Sequence, residues 1–96
     1  MIVEIVYTET YKFTLSALIN NVEASYGTSI SEKLLDRIDD IVKKIALNPY
    51  LFQAIPVDSE YRRAVISRQS SLVYQVTESK AILLYIFDNR QDPLWY

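Results

Sequence analysis

The spacing of apolar positions changes several times along the chain, and each change marks an element. The opening stretch Ile2–Thr8 (IVEIVYT) is rich in β-branched residues and alternates imperfectly, which predicts a strand. From Glu9 the period lengthens. Tyr11, Leu15, Leu18, Val22 and Tyr26 recur at intervals of four, three, four and four, which places them on one face of a helix. Gly27, the only glycine, stands just past that stripe, where a left-handed C′ position accounts for it. Ser29 and Glu32 have the spacing of a capping box at the start of a second helix. Ile30, Leu34, Ile38, Ile41 and Ile45 form its apolar stripe, widened by Leu35 and Val42. Asp36, Asp39, Asp40, Lys43 and Lys44 take the opposite face, with the lysines late, where the helix dipole favours them. Asn48-Pro49 ends this helix. A connection of two or three residues between the helices forces an antiparallel hairpin.

A connector, PYLFQAIPVDSE, leads to three apolar segments, Tyr61–Ser67, Ser71–Thr77 and Ala81–Phe87, joined by RQS and ESK. Links that short predict an antiparallel meander. Leu72, Tyr74 and Val76 share one face of the middle strand and are expected to lie on the helices. The last strand is apolar on both faces, so it is expected inside the sheet or covered on its second side. In the first meander strand Ala64 and Ile66 compete with Val65 for the core, and the pattern leaves both phases open. Tyr50, Leu51 and Phe52 are expected to plug the base of the sheet. The order β-α-α-β-β-β predicts one α+β domain over residues 1–96, a curved, mostly antiparallel sheet with a helical hairpin on one face.

Composition narrows the chemistry. Half of the 96 residues are hydrophobic and one is glycine, which excludes disorder and leaves room for a single core. No cysteine is present, so there is no disulfide, no thiol nucleophile and no Cys-based zinc site. The absence of histidine removes the commonest general base near neutral pH and the commonest metal ligand. Asp58 and Glu60 in DSE are too sparse for a metal site, and no cofactor is implied. The start lacks a basic region followed by an apolar run, and no apolar stretch approaches the roughly 20 residues of a membrane helix. A soluble, cytoplasmic protein is expected. Charge is uneven: residues 1–60 carry five Lys/Arg against nine Asp/Glu (net −4), and residues 61–96 five against three (net +2). Any anionic partner is therefore expected on the C-terminal part, although no stretch is densely basic.

The element order, together with LLDRIDDIVKKIALNPYLF, YRRAVISRQSSLVYQV and FDNRQDP, resembles the RelE/ParE superfamily, the toxin halves of bacterial toxin–antitoxin pairs, which includes plasmid stabilisation proteins. LVYQV (Leu72–Val76), followed by a hairpin and an apolar strand that ends in an arginine, is the most specific part. The resemblance covers essentially the whole chain. It implies a growth-inhibiting toxin of a type II system, neutralised by a cognate antitoxin that lies as an amphipathic helix or strand over the helical hairpin or the open sheet face. It also implies one of two activities. RelE-like members cut mRNA on the ribosome; ParE-like members block DNA gyrase.

Metal-free RNA cleavage must activate the ribose 2′-hydroxyl, stabilise charge on phosphorus and protonate the leaving oxygen. Without histidine the available groups are Lys, Arg, Tyr, Asp and Glu. RelE-like nucleases use two lysines on the first meander strand, an arginine at the start of the middle strand, a later arginine and a tyrosine after it. Against that pattern Arg62 takes the first lysine position, Ala64 the second and Ser71 the arginine position. Arg90 matches the later arginine, and Tyr96 falls where the tyrosine is expected. Two cations are missing, worth several kcal/mol of transition-state stabilisation at about 1.4 kcal/mol per tenfold in rate. The resemblance therefore implies a ParE-like gyrase inhibitor, with Arg63, Arg68, Arg90, Trp95 and Tyr96 as target or antitoxin contacts. The alternative is a ribosome-dependent mRNA endonuclease with Arg62, Arg90 and Tyr96 as catalytic residues; a further alternative is a degenerate homologue that binds antitoxin without toxicity.

Overall fold

The computed structural model describes residues 2–88, and the structural statements below concern those residues. The elements are β1 (Glu4–Tyr7), α1 (Glu9–Tyr26), α2 (Thr28–Leu47), β2 (Gln53–Ile55), β3 (Asp58–Val65), β4 (Ser70–Val76) and β5 (Lys80–Asp88).

Helix α1 starts where it does because Thr8 caps it. The residue is extended, and its hydroxyl oxygen accepts the Tyr11 N–H at 3.0 Å. The same hydroxyl donates to the Leu83 carbonyl at 2.7 Å, so the cap also ties the helix to β5. Gly27 adopts a φ of +93° and serves both helices: its N–H closes α1 on the Glu23 carbonyl, and its own carbonyl accepts the Ser31 N–H. An added Cβ would meet nothing within 4 Å, so the backbone angle, not space, calls for glycine. The capping box expected at Ser29 and Glu32 is not formed. Helix α2 begins two residues earlier, at Thr28, directly after the Gly27 cap, and both residues already lie inside its first turns. Ile38, Ile41, Val42 and Ile45 are buried and Leu34 partly so, whereas Ile30 and Leu35 stay exposed. On α1 only Tyr11 is fully buried; Leu15 and Leu18 pack at the edge of the core and Tyr26 is exposed.

The sheet order is β1-β5-β4-β3-β2, with β1 parallel to β5 and every other pair antiparallel. The expected meander is present, and β5 is interior, which explains why it is apolar on both faces. Strand β2 falls inside the stretch expected to be a connector. Three residues before Pro56 are too few to show a period, and β2 pairs with β3 through an irregular register at Ala54/Ile55. Of the residues expected to plug the sheet, only Phe52 packs against the core; Tyr50 and Leu51 are exposed.

The register settles the open phase of β3. Ala64 pairs with Leu72 and joins the core under the helices with Ile66, Tyr74, Val76 and Leu83, whereas Val65 is exposed. Between Val73 and Tyr74 the β4–β5 register slips, so Val73 faces Tyr85 while Tyr74 faces Leu83, and Leu84 is the extra residue of a bulge. Thr8 and Thr14 occupy the backbone there. Thr14 accepts the Ile86 N–H at 2.9 Å and donates to the Thr10 carbonyl. Among the described residues no helix is long and apolar enough to cross a membrane.

Thr8→Val removes the cap oxygen and the donor to β5 while keeping the shape, and is expected to destabilise the fold by about 2 kcal/mol. Thr10→Val, on the exposed side of the same turn, should change stability by less than about 0.5 kcal/mol. Urea denaturation of the two variants checks the contrast.

Candidate functional site

The settled phase of β3 divides its two arginines. Tyr61, Arg63 and Val65 point to the sheet face away from the helices, and Arg62 shares the side of Ala64. Arg62 is committed to the connector. Its Nε donates to the Ser59 carbonyl at 3.2 Å, its Nη1 donates to the carbonyls of Tyr50 at 3.2 Å and Phe52 at 3.0 Å, and the guanidinium lies 4.9 Å from the centre of the Tyr50 ring. A planar fork that satisfies three carbonyls of an irregular segment is a structural device, and lysine could not reproduce it.

Behind this contact the Tyr74 hydroxyl, fully buried, donates to the Pro49 carbonyl at 2.7 Å. Burial pushes its pKa up to about 12, against the opposing pull of the Arg62 guanidinium and of a hydrogen bond from the Phe52 backbone. Tyr11 is also raised to about 12, first by burial and then by the neighbouring Tyr7 and Asp39. Neither phenol can act as a base near neutral pH.

Arg63 takes part in a different neighbourhood. Its Nε donates to the Ser71 hydroxyl at 3.1 Å, and its guanidinium lies 5.7 Å from the centre of the Phe87 ring. Phe87 in turn sits 6.2 Å from Tyr85, ring centre to ring centre. Burial raises the pKa of Tyr85. Tyr61, Val73, Tyr85 and Phe87 thus surround one arginine on the open face. Val73 and Ser71 are buried although no helix covers them, because these larger side chains close over them. Such a surface offers aromatic and aliphatic contact with one charged group in it, the composition of a protein-contact patch.

Arg68 is exposed in the hairpin between β3 and β4. Arg62 and Arg63 are not brought together, since they sit on opposite faces. Arg90, Trp95 and Tyr96 lie outside the described residues. Ala64 and Ser71, which the sequence resemblance sets against two cation positions, are both fully buried. Among the described residues no three acidic side chains are grouped to hold a metal ion. Sequence reasoning missed the aromatic trio Tyr61, Tyr85 and Phe87; the signal for it was the second apolar face of β5.

No protein-family model matches the sequence, and no curated sequence matches it. Solved structures do share its fold. The chromosomal ParDE toxin–antitoxin system of P. aeruginosa contains a chain that superposes with a TM-score of 0.75 at 17% identity, over 91% of this chain and 96% of that one. A YoeB/ParE toxin from Agrobacterium tumefaciens gives 0.65 at 13% identity, over 90% and 98%. A chain of the E. coli DinJ–YafQ toxin–antitoxin complex gives 0.65 at 11% identity, over 94% and 96%. The architecture is that of the RelE/ParE-type toxins, as the sequence resemblance implied.

Arg62→Ala is expected to loosen the connector and destabilise the fold by about 2 kcal/mol, because three carbonyls lose a charged donor. Arg63→Ala should change stability by less than about 1 kcal/mol; urea midpoints separate the two. Alkaline unfolding gives a second check. Tyr11 and Tyr74 hold their protons to about pH 12 when folded, against the ordinary value of 10.0, so the folded chain binds more protons between these values. Their contribution is therefore complete below pH 10 and is lost as pH rises through 12, by up to about 1.4 kcal/mol per pKa unit for each. Tyr74→Phe should flatten the fall of the urea midpoint between pH 10 and 12.

Proposed function

We propose that this chain is the toxin of a type II toxin–antitoxin pair and that it inhibits a protein machine through its open sheet face, with DNA gyrase as the target. The observation that carries the reading is the separation of the two β3 arginines. Arg62 is held by backbone carbonyls on the helix side, and the face left for a partner is aromatic, with Arg63 as its cation among the described residues. An RNA-cutting site needs several converging groups to offset phosphate charge and move two protons. The neutral, buried Ala64 and Ser71 supply neither. A face of this kind suits a protein surface, where desolvated aromatic and arginine side chains dominate binding energy.

The fold supports the toxin reading, and the ParDE system and the DinJ–YafQ complex, both toxin–antitoxin assemblies, have chains of this architecture. A cognate antitoxin is accordingly the expected partner, laid over the helical hairpin or the open sheet face. Arg63 and Arg68, with Arg90, Trp95 and Tyr96 beyond the described residues, are the proposed contacts. The cytoplasm, where gyrase works, is the proposed location.

Purified protein added at micromolar concentration to gyrase, ATP and relaxed plasmid should slow supercoiling. Arg63→Ala and Tyr85→Ala should each weaken that inhibition at least tenfold, about 1.4 kcal/mol, under conditions where urea curves show both variants folded. An undiminished supercoiling rate with well-folded protein would remove gyrase as the target.

A further inference from the structure

The apolar stripe of α1 is longer than the surface that covers it. Tyr11 is buried and Leu15 and Leu18 pack at the edge of the core, but Val22 is half-buried and Tyr26 is 67% exposed. Beside this second half of the helix runs a groove of about 450 Å³, with Leu18, Val22 and Tyr26 on the helix side and Ser70, Ile86 and Asp88 on the strand side. Ser70 pairs with Asp88 at the last rung of the β4–β5 ladder, so the groove lies at the end of the sheet where β5 finishes.

Asp88 is the one charged residue in the described lining, and α1 carries no charge from Phe13 to Val22. Asn21 and Gln69, both exposed, set amides on the rim of an otherwise apolar hollow. Such a lining fits side chains with a broad apolar body and one polar tip, as tryptophan and tyrosine have. The same chain carries that chemistry within reach. From Asp88, in the groove wall, the sequence continues through five residues, 89–93, to Leu94-Trp95-Tyr96. Five residues span up to roughly 17 Å. The stretch of α1 from Leu18 to Tyr26 is shorter, about 12 Å. A tether of that length holds the aromatics beside the groove at roughly millimolar effective concentration, an advantage that no separate partner or second copy has.

We infer that this groove seats Leu94-Trp95-Tyr96 of the same chain, covering the part of the α1 stripe that the sheet leaves bare. The inference holds whichever target the protein has. The groove is open along Tyr26, so the seated segment keeps an outer edge, from which the contacts proposed for Trp95 and Tyr96 are made.

Trp95 is the only tryptophan, so its fluorescence, excited apart from tyrosine, reports on this segment alone. Acrylamide should quench it at least about threefold less efficiently in the folded chain than in concentrated urea, because a seated indole is shielded. The value should hold over about a hundredfold range of protein concentration, as a contact within one chain requires. Val22→Glu, which puts a carboxylate in the groove, and Tyr26→Ala, which removes one wall, should each raise quenching at least about twofold. Tyr26 is exposed enough for its variant to stay folded, which circular dichroism checks. Phe13→Ala removes an aromatic that is 74% exposed on the same helix but outside the groove, and should leave quenching unchanged. Quenching in the folded chain equal to that in urea, or shielding that grows with concentration and so marks a second copy, would overturn the inference. So would shielding that neither groove variant alters, or an equal effect of Phe13→Ala.

Discussion

The structure depends on how β5 is held. An interior strand with a neighbour on each edge and helices over one face offers little solvent to backbone groups that leave the ladder, and a bulge creates such groups. Thr8 and Thr14 meet that demand from α1: one hydroxyl donates to Leu83, the other accepts from Ile86, and the first also caps the helix. The seating of α1, the register of β4 on β5 and the direction of Leu84 and Tyr85 are therefore one linked arrangement. Moving the helix would leave polar groups of the strand unpaired, each a penalty of about 1–3 kcal/mol.

The phase of β3 follows from the same register. Once Leu72 and Tyr74 face the helices, Ala64 and Ile66 must do so too, and the two arginines fall on opposite sides. Arg62 then anchors the loop that carries Pro49 and Tyr50, close to the buried Tyr74 hydroxyl. Arg63 is left among aromatic rings. Adjacent in sequence, the two arginines serve opposite faces because strand side chains alternate: Arg62 clamps the connector, and Arg63 sits beside Phe87 on the open face.

Much of this architecture was legible from spacing. The helical stripes, the glycine between helices, the meander and the interior place of the last strand all follow from period and punctuation, and the structure has them. The failures have local causes. Ser29 and Glu32 had the right separation for a capping box, but Gly27 started the helix before they could form it. Strand β2 was too short to show a period. Tyr50 and Leu51 are apolar yet exposed, which composition alone does not reveal. The site was harder to read. A bulge of one residue reverses which side chains share a face, so the meeting of Tyr61, Tyr85 and Val73 depends on a register that no single segment encodes. Arg90, Trp95 and Tyr96, drawn from the resemblance, fall beyond the described residues.

On the proposed reading the open face engages a protein and does not cleave RNA. The most direct measurement is primer extension across abundant transcripts in cells whose growth is followed after the chain is induced without antitoxin. Growth arrest with transcripts intact at every codon position is the expected result. Breaks placed at codon intervals, or growth that continues unimpaired, would contradict it.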